Sequence, residues 1–227
     1  AFMFIYLDTE TTGTGPKDRL CQIAFKTEDG LVVNELFNPA MDISIDAMCV
    51  HHITNEMVKG KPPFKGSPAW SQLKDLLESD TNVMIAHNAR FDAGMLEKEG
   101  IASKAIICTM KLSRFLDEGG KIPRYSLQYL RYYLKLNIDA TAHDALGDIL
   151  VLEALFKVLY NKSAETLGED LVNKMIDISK KPILISRMPF GKHKGLRMNQ
   201  VPQDYLGWLS TTDLDEDMAY TVKRYLK

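Results

Sequence analysis

No apolar run in these 227 residues approaches the roughly 18 needed to cross a bilayer, which excludes a membrane-spanning helix. Cysteine is scarce: Cys21, Cys49 and Cys108 stand far apart and form no Cys-x-x-Cys pair. That excludes a cysteine-built zinc site or a disulfide framework and fits a reducing cytoplasm. Cys21 and Cys108 fall within apolar strand-like runs, where a free thiol behaves as a small hydrophobe. The start of the chain lacks the basic stretch and long apolar segment of a secretory signal. Positive charge is not in excess either; the net charge of −2 does not by itself point to a polyanionic partner. There are no internal repeats and no low-complexity tract.

What is present is a globular composition, 45% apolar and 26% charged. The length suits one ordinary domain and a small second one. The charge is unevenly spread. Residues 1–179 hold 19 Lys and Arg against 25 Asp and Glu, whereas residues 180–227 hold nine against five. Between Asp177 and Asp204 stand six cations and no acid. An acidic body with a basic C-terminal segment can grip a polyanion. The expected division is a main domain over 1–162, a linker or helix over 163–181, where the sequence is polar and weakly amphipathic, and a small basic α+β module over 182–227.

Phe4 to Leu7 reads as a buried central strand ending in a Thr/Gly/Pro-rich turn. Leu20 to Thr27 and Leu31 to Phe37 form a hairpin about Glu28-Asp29-Gly30, and Asn82 to Ala86 and Ala105 to Cys108 are further strands. Helical faces are legible in Trp70, Leu73, Leu76 and Leu77, and in Leu127, Leu130, Tyr133 and Leu134. The strongest helix spans about Ala142 to Tyr160, with short ones around Tyr205 to Leu209 and Asp215 to Leu226. Strands followed by alternating helices and strands imply an α/β layer fold with a mixed sheet.

Four carboxylates and a histidine carry the chemistry. Asp8 and Glu10 alternate at the end of the first strand, so they converge on one point at the sheet's carboxyl edge. Asp92 opens a helix after the Val83-to-Ala86 strand, where Asn88 can bond the turn backbone and Phe91 can anchor the helix. His143 and Asp148 follow Thr141, a plausible N-cap with Asp144 three residues on. Five residues at 100° each leave His143 and Asp148 roughly 140° apart around the axis, so one is a rigid ligand and the other reaches in from the helix start. Taken singly, each has an ordinary explanation: a polar strand end, a first-turn acid, an exposed histidine. Acids gathered in one place repel, and burying them together requires cations. Oxygen-only ligands suit Mg²⁺ or Mn²⁺, and two such ions with a neutral histidine base can hydrolyse a phosphodiester.

The set Asp8-x-Glu10, Asn88-x-x-Phe91-Asp92 and His143-x-Ala145-x-x-Asp148 resembles the DEDDh 3′→5′ exonuclease superfamily over roughly residues 3–160. Thr11-Thr12-Gly13 and Val50-His51-x-Ile53-Thr54 belong to the same likeness. A tyrosine four residues before the last Asp would mark the sister branch; position 144 is Asp, so the histidine type is indicated. Ile107 to Leu112, Pro189 to Gly195 and Tyr205-Leu206-x-Trp208-Leu209 narrow the resemblance to exodeoxyribonuclease X-like proteins. Ile149 departs from the usual small residue after the final Asp; it lies on the core side and bears on packing.

The resemblance implies a ribonuclease H-like five-stranded mixed sheet flanked by helices. It implies that Asp8, Glu10, Asp92 and Asp148 hold two Mg²⁺ or Mn²⁺ ions and that His143 takes the proton from the attacking water. Thr11 and Thr12 are expected at the terminal sugar, and His51, Asn88 and Phe91 near the terminal nucleotide. Turn formation for the threonines and a surface loop for His51 stay open. Lys192 and Lys194, framed by Gly191 and Gly195, are expected to hold the backbone of a nucleic acid, against the alternative of a solvated basic hairpin. The activity implied is release of nucleoside 5′-monophosphates from DNA 3′ ends, in repair or end processing. An exoribonuclease uses the same five residues, and a non-catalytic nucleic-acid-binding module is opposed by their all being intact.

Overall fold

A computed structural model describes residues 2–138 and 145–227. Five strands form one sheet: β1 (Met3–Thr11), β2 (Leu20–Thr27), β3 (Val32–Leu36), β4 (Asn82–Ala86) and β5 (Ile106–Cys108), in the order β3-β2-β1-β4-β5. β1 to β3 pair antiparallel, and β4 and β5 join parallel to β1, so the sheet is mixed as expected. The parity of β1 sets up everything that follows. Ile5 and Leu7 enter one core, while Tyr6 enters the other.

The first core is closed by α3 (Pro68–Leu77) and α4 (Ala89–Lys98), through Leu73, Leu77 and Leu96. The second is closed by α5 (Thr109–Leu116), α6 (Leu127–Tyr133), α7 (Ala145–Leu167) and α8 (Leu171–Lys180). Two short helices, α1 (Ile45–His51) and α2 (Asn55–Val58), cap the β1 end, where Val58 and the flanking Ile43 and Ile53 cluster with Cys21.

Residues 163–181, expected as a linker or helix, finish α7 and form α8. Met175 and Ile176 are buried against the sheet, and Ser179 Oγ accepts from the Cys108 backbone N–H at 2.8 Å. Leu171, Val172 and Ile178 pack beside them, so a short apolar stripe docks the helix even where the sequence is polar overall. Beyond it, the expected α+β module consists of α9 (Gln203–Leu209), α10 (Glu216–Tyr225), a 3₁₀ turn at Met198–Gln200 and one antiparallel bridge, Arg187 to Arg197. Ile185, Met188, Leu206, Leu209, Met218 and Val222 form its own small core.

Candidate active site

The strand parity that sends Tyr6 toward α7 sends Asp8 and Glu10 the same way. Immediately after Glu10 the register with β2 slips, from Glu10↔Gln22 to Thr11↔Leu20. Such a bulge ends regular pairing and re-aims the side chains beside it. From the facing helix, Asp148 in the first described turn of α7 completes a cluster. Carboxylate oxygens of Asp8, Glu10 and Asp148 lie within 4.8 Å of one another. Gln128 of α6 donates its amide to Asp148 Oδ1 at 2.5 Å, and buried Arg131 donates to Gln128 Oε1 at 3.2 Å. Sequence reasoning missed both, because they sit one position along from the apolar Leu127/Leu130 stripe; their own i, i+3 spacing was the available signal.

Asp92 comes from the opposite side of the sheet. Thr9 has the parity of Leu7, and both its backbone N–H and its hydroxyl donate to Asp92 Oδ1, at 3.1 and 2.7 Å. Burial pushes the Asp92 carboxyl up to about 7, a shift that the Thr9 hydrogen bonds only partly offset. Asp92 lies outside the three-carboxylate cluster but is tied to the residue between its two strand members. An all-oxygen donor set packed this tightly fits hard divalent cations and little else. His143 lies outside the described residues.

Beside the acids opens a cleft of about 470 Å³, lined by Glu10, Thr11, Gly13, Val50, His51 and Phe91 among others. Thr11 faces it, its hydroxyl donating to the Gly13 carbonyl at 2.7 Å. Thr12 does not. It is fully buried, donates to Asp18 Oδ1 at 2.7 Å and accepts from the Arg19 backbone N–H at 3.0 Å, so its hydroxyl serves the turn. Gly13 is required by the same turn, since a Cβ there would come within 2.7 Å of the Asp18 carboxylate. His51 is no surface residue either. As the buried last residue of α1, it accepts from the Ile53 N–H through Nδ1, so its Nε2–H donates to the Thr11 carbonyl, both at 3.0 Å. Burial lowers its pKa, which keeps it neutral and in this tautomer. It also lines the cleft.

Asn88 opens α4 in the left-handed conformation, φ 62°, and makes no side-chain cap. Asn tolerates that backbone shape better than most residues. The side chain is exposed on the rim of a neighbouring cavity of about 360 Å³. Lys192 and Lys194 are exposed on the 187–197 hairpin.

His87, which sequence reasoning passed over, locks the end of β4. Its Nε2 donates to the Tyr125 carbonyl at 2.7 Å, leaving Nδ1 to accept from the Thr109 hydroxyl at 2.9 Å. Burial, helped by the nearby Arg114 cation, pushes its pKa from 6.5 down to about 4. As pH falls, the unfolded chain therefore takes the proton first. Stability present above about pH 6.5 will be lost progressively toward pH 4, by on the order of 2–3 kcal/mol. Asp92, raised to about 7, acts in the opposite sense over the same range, so the His87 share is read as a difference: wild-type urea midpoints should gain on those of His87→Gln between pH 4 and pH 6.5.

A family model described as Exonuclease matches residues 5–156, the stretch from β1 to α7 that carries all four carboxylates. The chain belongs to the exonuclease family. Exodeoxyribonuclease 10 of Escherichia coli K12 is 32% identical to it, over 99% of both chains. The DNA polymerase III epsilon subunit of Rickettsia felis is 32% identical over 77% of this exonuclease-family chain and 79% of its own. Among solved structures, exonuclease X in complex with 5′-overhanging duplex DNA is 31% identical, with a TM-score of 0.60 over 78% of this chain and 99% of that one. Escherichia coli exonuclease I with a dT13 oligonucleotide shares the fold at 18% identity, TM-score 0.59, over 74% of this chain and 43% of that one. A second model, of the family labelled QSregVF_b, matches residues 180–217, which hold the basic hairpin and α9.

Proposed function

We propose that this protein is a metal-dependent 3′→5′ exodeoxyribonuclease that releases nucleoside 5′-monophosphates from DNA 3′ ends, in repair or end processing. The observation that carries the reading is the convergence of Asp8, Glu10 and Asp148 within 4.8 Å at the carboxyl edge of an exonuclease-family sheet. With Asp92 they form the donor set for two Mg²⁺ or Mn²⁺ ions. Ions held there supply Lewis-acid charge at the scissile phosphate and a water of lowered pKa.

The chain's own residues then divide the work. Gln128 and Arg131 keep Asp148 oriented, as Thr9 does for Asp92. His143, assigned by its place in the His143-x-Ala145-x-x-Asp148 motif, takes the proton of the attacking water. The P–O3′ bond breaks as the new P–O bond forms, leaving the phosphate on the released nucleotide. Phe91 and His51, which line the cleft, stand beside the terminal nucleoside, and Thr11 beside the sugar. Lys192 and Lys194 hold phosphates, balancing an acidic nuclease body that would otherwise repel its substrate. On this reading the nuclease fold runs through α8 and the module begins near residue 182, where a separate core starts.

Degradation of sequence-matched DNA and RNA strands decides the substrate class. DNA should be degraded faster at equal enzyme concentration. Faster RNA degradation would replace this reading with an exoribonuclease.

A further inference from the structure

The C-terminal module carries a feature that the nuclease reaction does not explain. Helix α9 buries Leu206 and Leu209, and on its adjacent face Tyr205 and Trp208 stand at the same i, i+3 spacing. Trp208 is 56% exposed. The rings form a row: His193 meets Tyr205 edge-to-face at 4.6 Å, and Tyr205 meets Trp208 at 5.3 Å, tilted by 43°. Phe190, at the head of the hairpin, is 42% exposed.

The hairpin is shaped to deliver its cations to this row. Gly191 has φ 70°, and a Cβ on it would lie 2.3 Å from the Tyr205 hydroxyl, so only glycine lets the loop close onto the ring. Met188 and Leu196 pair across the hairpin, with the Gly195 N–H donating to the Met188 carbonyl at 2.8 Å. His193 is thereby held against Tyr205 with Lys192 and Lys194 on either side of it in the chain. Asp204, the nearest acid along α9, accepts from the Tyr205 N–H at 2.8 Å. The hairpin is also seated on the nuclease fold. Arg187, Met188 and Lys194 enclose a small cavity of about 90 Å³ with Gly120, Ile122 and Tyr125. The carbonyl of that Tyr125 receives the His87 hydrogen bond, next to Asn88. The ring row is therefore held at a set place relative to the site.

We propose that the hairpin and α9 form a base-stacking platform for single-stranded DNA, with Trp208 as the exposed anchor, Tyr205 and His193 as its backing, and Lys192 and Lys194 at the phosphates. Aromatic faces beside exposed cations are the surface that unpaired nucleotides bind, because every base offers a π-face and every linkage a charge. Bases inside a duplex are already stacked, so the platform favours single strands. A protein partner would call for a wider apolar rim; here the rings are flanked by charge. This rests on the exonuclease reading above and adds a second contact to it.

The test uses the full chain in EDTA, where no cleavage occurs, with a labelled oligothymidylate of about 16 nucleotides. Trp208→Ala should weaken binding about tenfold or more, Trp208→Phe should keep most of the affinity, and the tryptophan quenching expected of wild type should be absent from the Ala variant. Lys192→Ala/Lys194→Ala should lower the slope of log affinity against log salt by about 1.4. Unchanged binding by Trp208→Ala, or an equal loss on blunt duplex DNA, would overturn the platform. Quenching by an acidic peptide but not by oligothymidylate would overturn it in favour of a protein partner. Nucleotide release by the wild-type preparation is read in parallel: its absence refutes the exonuclease reading, whereas its presence beside unchanged Trp208→Ala binding refutes the platform alone.

Discussion

Asp8→Ala will lower metal-dependent nucleotide release on the order of 10³-fold or more, because residues that act as one unit lose most of their effect when any member is removed. Asp8 is the member of the cluster nearest the middle of the sheet, on β1 between both cores. Its removal leaves two of the three convergent ligand oxygens, those of Glu10 and Asp148. The loss should not come from unfolding, since Asp8 contributes no apolar contact to either core. Thermal melts distinguish the two causes. Mg²⁺ or Mn²⁺ will raise the melting temperature of the wild type, by about 3 kcal/mol of stability at a hundredfold excess over Kd, and that rise will shrink in the variant. A variant that loses activity yet keeps the full metal-induced rise would place the ions elsewhere.

The largest effect on stability is expected at Asp217. Its carboxylate is 2% exposed, pairs with Arg114 of α5, and accepts from the Ile183 N–H at 2.9 Å, with Lys111 3.8 Å away. Lys111 in turn donates to Glu216 and to the Lys181 carbonyl, both at 2.8 Å. This network sits between α5 of the nuclease fold and α10 of the module. Removing one member of a buried pair leaves an uncompensated charge, at a cost of about 3–5 kcal/mol. Asp217→Ala should therefore lower the melting temperature by about 10 °C. Glu216→Gln, at a partner that is 37% exposed, should cost no more than about 1 kcal/mol. The comparison separates a buried junction from a surface ion pair; equal effects would refute it.

Much of this was legible before any coordinates. The bounds of β2 and β4 follow from their apolar runs, and the alternation of Asp8 and Glu10 is enough to aim both at one point. Asp148 was likewise readable as a helix-borne acid facing the site. What escaped is what depends on neighbours far away in the chain. Thr11 and Thr12 are indistinguishable as adjacent hydroxyls until the Asp18 carboxylate claims one of them. His51 looks like any histidine near a loop, and only the Thr11 carbonyl makes it a bracket between α1 and β1. The 163–181 stretch hides a packed helix because its stripe of Leu171, Val172, Met175 and Ile176 is short and set among charged and polar residues. Gln128 becomes meaningful only once α6 is laid beside Asp148. Asn88 shows a further case: its left-handed backbone at the head of α4 cannot be read from the sequence, and its side chain makes no cap there.

The most direct measurement follows one DNA strand labelled at either end, incubated with Mg²⁺ and sampled in time. The expected result is immediate release of a nucleoside 5′-monophosphate from the 3′ label, a 5′ label retained on a shortening ladder, and neither in EDTA or with Asp8→Ala. Release from the 5′ end first, internal cuts before terminal ones, or equal rates in EDTA would contradict it.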